Sequence, residues 1–366
     1  MKIGILTFQR ALNYGAFLQA YAMKSFLSSK GYDAEMVDYW PKEHADYINK
    51  RKLTATSHIG RAKQLTFYAL TEPLFRRRKL KMSLLRRRYL GLGRFPKYHT
   101  GEELSQTNYD AIIYGSDQIW WNHTAYSTDI AYDKTYWGYY VPAKTKRIAY
   151  APSMGIIDIR EQDKPFIREA LQQFSCLSTR ETNLHEALLP YTDKPITTVL
   201  DPVFLPEKEF WLRHIKKLHF NVPYLLYYSL IPSDESYNLA SNLAKAKGLK
   251  LIELTPRIRD FHPSPELIQT ADAMDFISLI YHADYVVSTS FHGTALSIIL
   301  EKDFCVIGLG KLSGRVVSLL GQLGISERYT DTPINLGNID YTSVRERLDK
   351  LRDISRNYLT DALKEH

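Results

Sequence analysis

The chain has 366 residues, 45% hydrophobic and 24% charged, enough for two domains of ordinary size, which excludes a disordered tail or a peptide module. Its two cysteines, Cys176 and Cys305, stand far apart with no CxxC or histidine spacing beside them, so a disulfide framework and a structural zinc site are excluded and a reducing cytoplasm fits. The net charge of +8 is uneven: residues 50–98 hold 15 Lys or Arg against one acid, Glu72, a local +14, and the remaining 33 cations against 39 acids leave −6.

Residues 1–10 have too short an apolar run for a signal peptide, and no window approaches the roughly 18 apolar residues of a membrane span. Residues 2–7 read as a buried strand, 8–14 as a loop and 15–30 as a helix closed by Gly31, with a second strand over 33–39. This β-loop-α-β opening starts a parallel sheet without GxGxxG. Next comes the basic segment, where Leu74, Phe75, Leu80, Met82, Leu84, Leu85, Tyr89 and Leu90 alternate with Lys and Arg, predicting an amphipathic helix. It can face anionic lipid or nucleic acid, or simply be a solvated helix face. No recognised binding module accompanies it, which disfavours nucleic acid.

The sheet resumes at 110–114, running into Gly115-Ser116-Asp117-Gln118-Ile119-Trp120-Trp121-Asn122, and at 147–151. A helix over 161–174, a strand over 176–178, a turn at Arg180-Glu181 and a strand over 197–200 follow. Asp201-Pro202, with Pro206 beyond, marks the domain boundary. The α/β rhythm then repeats: strands at 224–228, 250–254, 285–288 and 304–307, helices at 235–247, 274–282, 292–300 and 314–323. The prediction is an α/β protein of two Rossmann-like domains facing a cleft: 1–205 with a basic helical insert at about 50–98, and 206–340. A helix over 344–364, within a terminal unit 341–366, packs back on the first domain.

The sharpest stretch is residues 283–296, a buried strand turning into a helix through Ser288, Ser290, His292, Gly293 and Thr294. First-turn amides and the helix dipole favour an anion there by about 0.3–1 kcal/mol per charge at exposed sites. Ser290 and Thr294 add hydroxyls, Gly293 permits close approach, and His292 can act as acid or base near neutral pH. The alternative is that Ser290 caps the helix and His292 packs. A second glycine-rich turn, residues 308–315, carries Lys311 and Arg315 for a carboxylate or phosphate. Arg180 can reach across the cleft as a bidentate clamp or bridge to Glu181. In the first half, Asn13 and Tyr14 occupy the first βα loop. Asp117 with Trp120 and Trp121 suits a sugar's hydroxyls and its apolar face, or forms a capped aromatic core. The other histidines are scattered without HExxH, so no metal site is inferred.

Residues 13–21 (NYGAFLQAY), 114–120 (YGSDQIW), 177–181 (LSTRE), 199–202 (VLDP) and 290–295 (SFHGTA) resemble the polysaccharide pyruvyl transferase family in order and spacing, over about residues 2–325. That resemblance implies a GT-B-like fold, phosphoenolpyruvate as donor substrate with no further cofactor, and a lipid- or nucleotide-linked sugar of the bacterial cell surface as acceptor. It places the donor-site histidine on His292 and the mid-chain arginine on Arg180. Some members have Arg-x-His where this chain has Ser290, so the second donor cation is expected from Arg315 or Lys311, with Gly293 and Thr294 beside them. Asp117 is the expected base for the acceptor hydroxyl, with Asn13, Tyr14, Trp120 and Trp121 around the acceptor. Under this reading the basic segment, chiefly 74–90, meets the anionic inner leaflet, making the protein cytoplasmic and peripheral. The competing readings are a nucleotide-sugar glycosyltransferase on the same fold and a catalytically silent assembly partner.

Overall fold

The computed structural model describes residues 1–44, 57–122, 132–218, 222–230, 233–258, 266–308, 310–330 and 336–364. The first stretch of the basic segment, through residue 56, lies outside them. Strands β1 (Lys2–Leu6), β2 (Asp33–Met36), β3 (Ala111–Tyr114) and β4 (Lys146–Ala149) form a parallel sheet in the order β2-β1-β3-β4. β5 (Leu177–Thr179) and β6 (Ile196–Thr198) pair in parallel and adjoin β4 through the Ile148–Cys176 bridge. Helix α1 (Tyr14–Ser29) crosses from β1 to β2, capped by Asn13, whose Oδ1 accepts from Gly15 N at 2.8 Å. Gly31 takes φ +85° just beyond the helix, as a glycine at that position permits.

Helix α2 (His58–Leu85) carries the basic segment. α3 (Lys164–Gln172) precedes β5 and α4 (Thr182–Leu188) follows it. After α5 (Lys208–Leu212) the second sheet takes the order β11-β10-β7-β8-β9, all parallel. Its strands are β7 (Tyr224–Tyr228), β8 (Lys250–Leu254), β9 (Leu267–Ile268), β10 (Tyr285–Ser288) and β11 (Phe304–Val306). Helices α6 (Asp234–Ala246), α7 (Ala273–His282) and α8 (Phe291–Ile299) connect them, and α9 (Gly314–Leu323) follows β11. The central strands are apolar runs buried throughout, AIIY in β3, YLLYY in β7 and YVVS in β10, as parallel strands covered on both faces require.

Each sheet reverses its strand order once, between β1 and β3 in the first and between β7 and β10 in the second. Open parallel sheets bind ligands at the carboxyl ends of the strands flanking such a reversal. The two reversal points meet across α1: the Tyr14 ring lies 6.1 Å from Tyr228 at the end of β7 and 5.3 Å from Phe276 of α7. One apolar core accordingly runs through both sheets.

Helix α2 splits its charge between two environments. Arg78 and Arg86 are buried: Arg78 donates to Leu12 O, and Arg86 Nη1 to Arg10 O at 3.0 Å. Lys81 Nζ reaches Asp275 of α7 at 3.1 Å. The segment therefore ties the first βα loop to the second sheet's helices, a structural role absent from the sequence expectation. Met82 and Leu90 pack inward, while Leu74, Leu80 and Leu84 stay exposed.

Helix α10 (Tyr341–Ala362) returns to the first sheet, where Tyr358 Oη donates to Ala149 O at 2.8 Å and Ser355 Oγ accepts from Leu200 N at 2.9 Å. Buried Arg352 donates from Nε to Phe204 O at 2.9 Å and lies 3.2 Å from Glu207. Arg352→Ala leaves that carbonyl without its donor, and equilibrium urea unfolding is expected to show a loss of about 1–3 kcal/mol.

Candidate active site

Arg180 follows β5 as a nearly buried guanidinium, and Nη1 donates to Asp201 Oδ2 at 2.6 Å. Asp201, just past β6, is itself buried; its Oδ1 accepts from Val203 N at 3.1 Å. The same Oδ2 lies 3.6 Å from His292 Nε2, on the first turn of α8, and 3.1 Å from the Ser116 hydroxyl beyond β3. Arg180 also lies 3.9 Å from Asp117 and 3.7 Å from Glu181, and its guanidinium stacks over Phe291 with Cζ 4.7 Å from the ring centroid. Glu181 is buried and accepts from Ser153 Oγ, beyond β4. Groups after β3, β4, β5 and β6 and on one helix of the second half thus converge on one buried point.

Burial opposes ionisation of Asp201, but His292 and Arg180 outweigh it and hold its carboxyl below the ordinary carboxylate range. For Glu181 burial wins over Arg180 and Ser153, and the carboxyl is pushed up. Arg315 of α9 is pushed down to about 10, first by burial and then by the like charge of Arg180, while Glu181, Asp117 and Asp201 act the other way. Several buried polar atoms around this point make no hydrogen bond within the protein: Arg180 Nε and Nη2, Arg315 Nε, His292 Nε2 and Glu181 Oε2. Three of these five belong to guanidinium groups, so the arrangement offers donors to an anion rather than a cage for a cation. Among the described residues, no group of three or more His, Cys, Asp or Glu is placed to hold a metal ion.

Backbone geometry is unusual in the same place. Asp117 has φ +76° and Ala151 φ +50°, left-handed conformations that non-glycine residues rarely adopt and that gather at functional sites. Gly15 lies directly against the imidazole: a Cβ there would lie 2.1 Å from His292 Nδ1. Glycine in the first turn of α1 is what lets the second half's histidine reach the first half.

The structure brings His292, Arg180, Asp117 and Arg315 together, but not every expected residue joins them. Lys311 is exposed on the one-turn helix Gly310–Leu312, with no contact to the cluster among the described residues. Trp120 is corrected from a sugar platform to a core residue: it is fully buried, stacks on Trp137 at 4.4 Å and donates Nε1 to Tyr136 O. Gly293 and Thr294 are also turned inward. A Cβ on Gly293 would meet Ser288 Oγ at 2.2 Å, and Thr294 Oγ1 donates to Ser290 O at 2.9 Å. Ser290 stands at the N-cap but its side chain makes no capping bond. Asn13 caps α1, and the buried Tyr14 hydroxyl makes no hydrogen bond within the protein. Trp121 is half-buried.

Sequence reasoning gave Asp201 no role beyond the boundary and the VLDP stretch and Glu181 none beyond a bridge to Arg180, and it missed Ser153 and Ser116 as polar partners. The available signal was a lone acid directly after a predicted strand, the same placement that made Asp117 conspicuous.

Two parallel α/β sheets whose strand-end loops share a buried polar cluster define a GT-B-like architecture. The model of the family described as polysaccharide pyruvyl transferase matches residues 13–310, and the chain belongs to that family of transferase enzymes. No curated protein sequence matches it. Similar solved structures include the UDP-N-acetylglucosamine 2-epimerase of Rickettsia bellii, 14% identical over 99% of this chain and 97% of that one, with a TM-score of 0.47. Others are the UDP-GlcNAc 2-epimerase of Neisseria meningitidis (11%, 100% and 95%, 0.45) and the glycosyltransferase SnogD of Streptomyces nogalater (13%, 97% and 95%, 0.42). These likenesses are distant, and the architecture rests on this chain's own strand order.

Asp201, depressed by its partners, stabilises the fold at pH values above its unfolded value of about 3.9, and that contribution is lost as pH falls toward the folded value. Glu181 acts in the opposite sense, contributing at low pH and losing its contribution as pH rises through its folded value. Asp201→Asn strands the Arg180 charge and is expected to cost about 3–5 kcal/mol at neutral pH. Urea titrations at successive pH values should show that gap narrowing as pH falls below about 4.

Proposed function

We propose that the enzyme transfers the pyruvyl group of phosphoenolpyruvate to a sugar diol as a cyclic ketal, with the donor held by the half built on residues 206–340 and the acceptor by residues 1–205. The observation that carries this reading is the set of buried donors on Arg180 and Arg315 that make no hydrogen bond within the protein, gathered around the Arg180–Asp201 pair that His292 Nε2 approaches to 3.6 Å. Phosphoenolpyruvate carries a carboxylate and a phosphate, and two guanidinium groups suit two oxyanions.

In this reaction His292 delivers a proton to the methylene carbon, which becomes the methyl group, and the resulting cationic carbon is attacked by a sugar hydroxyl. The carbon–oxygen bond to phosphate then breaks, and the neighbouring hydroxyl attacks the same carbon to close the ketal. Of the two hydroxyl protons released, one restores the imidazole and one leaves with phosphate. Asp201, held ionised, gives a proton on His292 Nε2 a countercharge. Asp117, 15% exposed on its side chain and 3.9 Å from Arg180, is the proposed base that takes the attacking hydroxyl's proton and passes it to the departing phosphate. The acceptor is a lipid- or nucleotide-linked sugar.

The decisive experiment incubates the protein with phosphoenolpyruvate and a panel of galactose-type diols, following phosphate release and the ketal mass gain. Release of nucleotide from a nucleotide sugar, with none of phosphate from phosphoenolpyruvate, would overturn the reading in favour of glycosyl transfer. On a productive acceptor, His292→Ala is expected to lower kcat by about 10²–10⁴. Gly15→Ala should reach a similar level, because its methyl displaces the imidazole. Asp117→Asn should lower kcat with acceptor KM unchanged; near-normal turnover would remove Asp117 from the chemistry.

A further inference from the structure

Ile59, Leu70, Leu74, Leu80 and Leu84 are all exposed on α2, Ile59 at 72% and Leu70 at 69%. At about 100° per residue their positions fall within an arc of about 120° on one face of the helix. Arg78 and Met82, the buried residues of α2, lie on the adjoining face, centred about 120° from the middle of the stripe. A stripe of large aliphatic side chains in water is unfavourable by itself and marks a contact surface.

The charge beside the stripe identifies what covers it. Lys63, Arg77, Arg87 and Arg88 are exposed on α2 and its continuation. The segment's one acid, Glu72, is bonded to Arg76 at 2.7 Å. With Arg78, Arg86 and Lys81 committed inward, exposed Lys63 and Arg77 fall within the same arc as the aliphatic side chains, so cations and leucines share one outward face. That combination matches a helix lying in a bilayer interface: aliphatic side chains enter the acyl boundary while cations meet anionic headgroups. Nucleic acid would use the cations and leave the leucines in water. Among the described residues no helix is long and apolar enough to cross a membrane, so the contact is a docking, not a span.

We propose that the outer face of α2 docks the enzyme on an anionic lipid surface through these aliphatic side chains and the cations set among them. This placement is independent of the reaction, so its failure and that of pyruvyl transfer are separable. It also brings the enzyme to the surface where a lipid-linked acceptor would reside.

The test is flotation of the whole protein with vesicles of phosphatidylcholine alone and of phosphatidylcholine mixed with phosphatidylglycerol. Expected is binding to the anionic vesicles only, weakening with salt, since each cation at the surface contributes about five-fold in partition. The variant Leu70→Asp/Leu80→Asp/Leu84→Asp should lower the bound fraction about ten-fold or more. Its melting temperature should not change, because these side chains already face water, nor should its turnover on a water-soluble acceptor. No binding at low salt, or binding unaffected by the triple substitution, overturns the proposal. So does sedimentation showing that the substitution instead dissolves a dimer, which would make the stripe a contact between copies of this chain.

Discussion

The buried pair of Arg180 and Asp201 is the constraint on which the rest of the site depends. Removing two charges from water costs several kcal/mol per ion, and their attraction repays it only when geometry is close and the remaining polar atoms are bonded. Asp201 meets that condition: its two oxygens engage Arg180, Ser116 and Val203 N, with His292 close by. Arg180 meets it only in part, since Nε and Nη2 make no hydrogen bond within the protein and have only the longer approaches to Glu181 and Asp117 at 3.7 and 3.9 Å. A guanidinium half satisfied by a fixed carboxylate is oriented yet still able to take a ligand oxyanion, which is what preorganisation of an anion site means physically.

The pair also explains why the two halves are joined where they are. Arg180 stacks on Phe291, at the start of α8, and Thr182 Oγ1 lies 3.0 Å from Ser318 Oγ on α9. Across the opening, α1 presents Tyr14 to the second sheet's aromatic residues and Gly15 to His292. The imidazole therefore belongs to the second half by chain connectivity and to the first by its surroundings. Such sharing fixes the imidazole in place only when both halves are assembled around it.

Helix α2 shows how one composition serves two ends. The segment expected to form an amphipathic helix also buries part of its charge, with Arg78 and Arg86 turned inward. Three cations anchor it inward across both halves, and the outward face pairs leucines with unneutralised charge. Burying an arginine is tolerable where it bonds a carbonyl that no helix or strand satisfies, as Arg78 does at Leu12 and Arg86 at Arg10.

Much of the architecture was legible from local pattern. Apolar runs ending in glycine or small polar residues located the parallel strands, Gly31 and Gly248 closed their helices with positive φ, and strand–helix alternation specified two parallel sheets. These are short-range effects, decided by sterics and burial within a dozen residues. His292, Arg180 and Asp117 were legible for the same reason, since each follows a predicted strand. What only the tertiary structure decided was which residues face one another. Trp120 went to the core because Trp137 offers a stacking partner remote in sequence. Thr294 turned back on its own helix, Lys311 stayed in water, and Asp201 became the hub because β5 and β6 set it beside Arg180. Side-chain neighbours across the sheets depend on strand order and on how two halves dock, and neither is encoded in the residues adjacent along the chain.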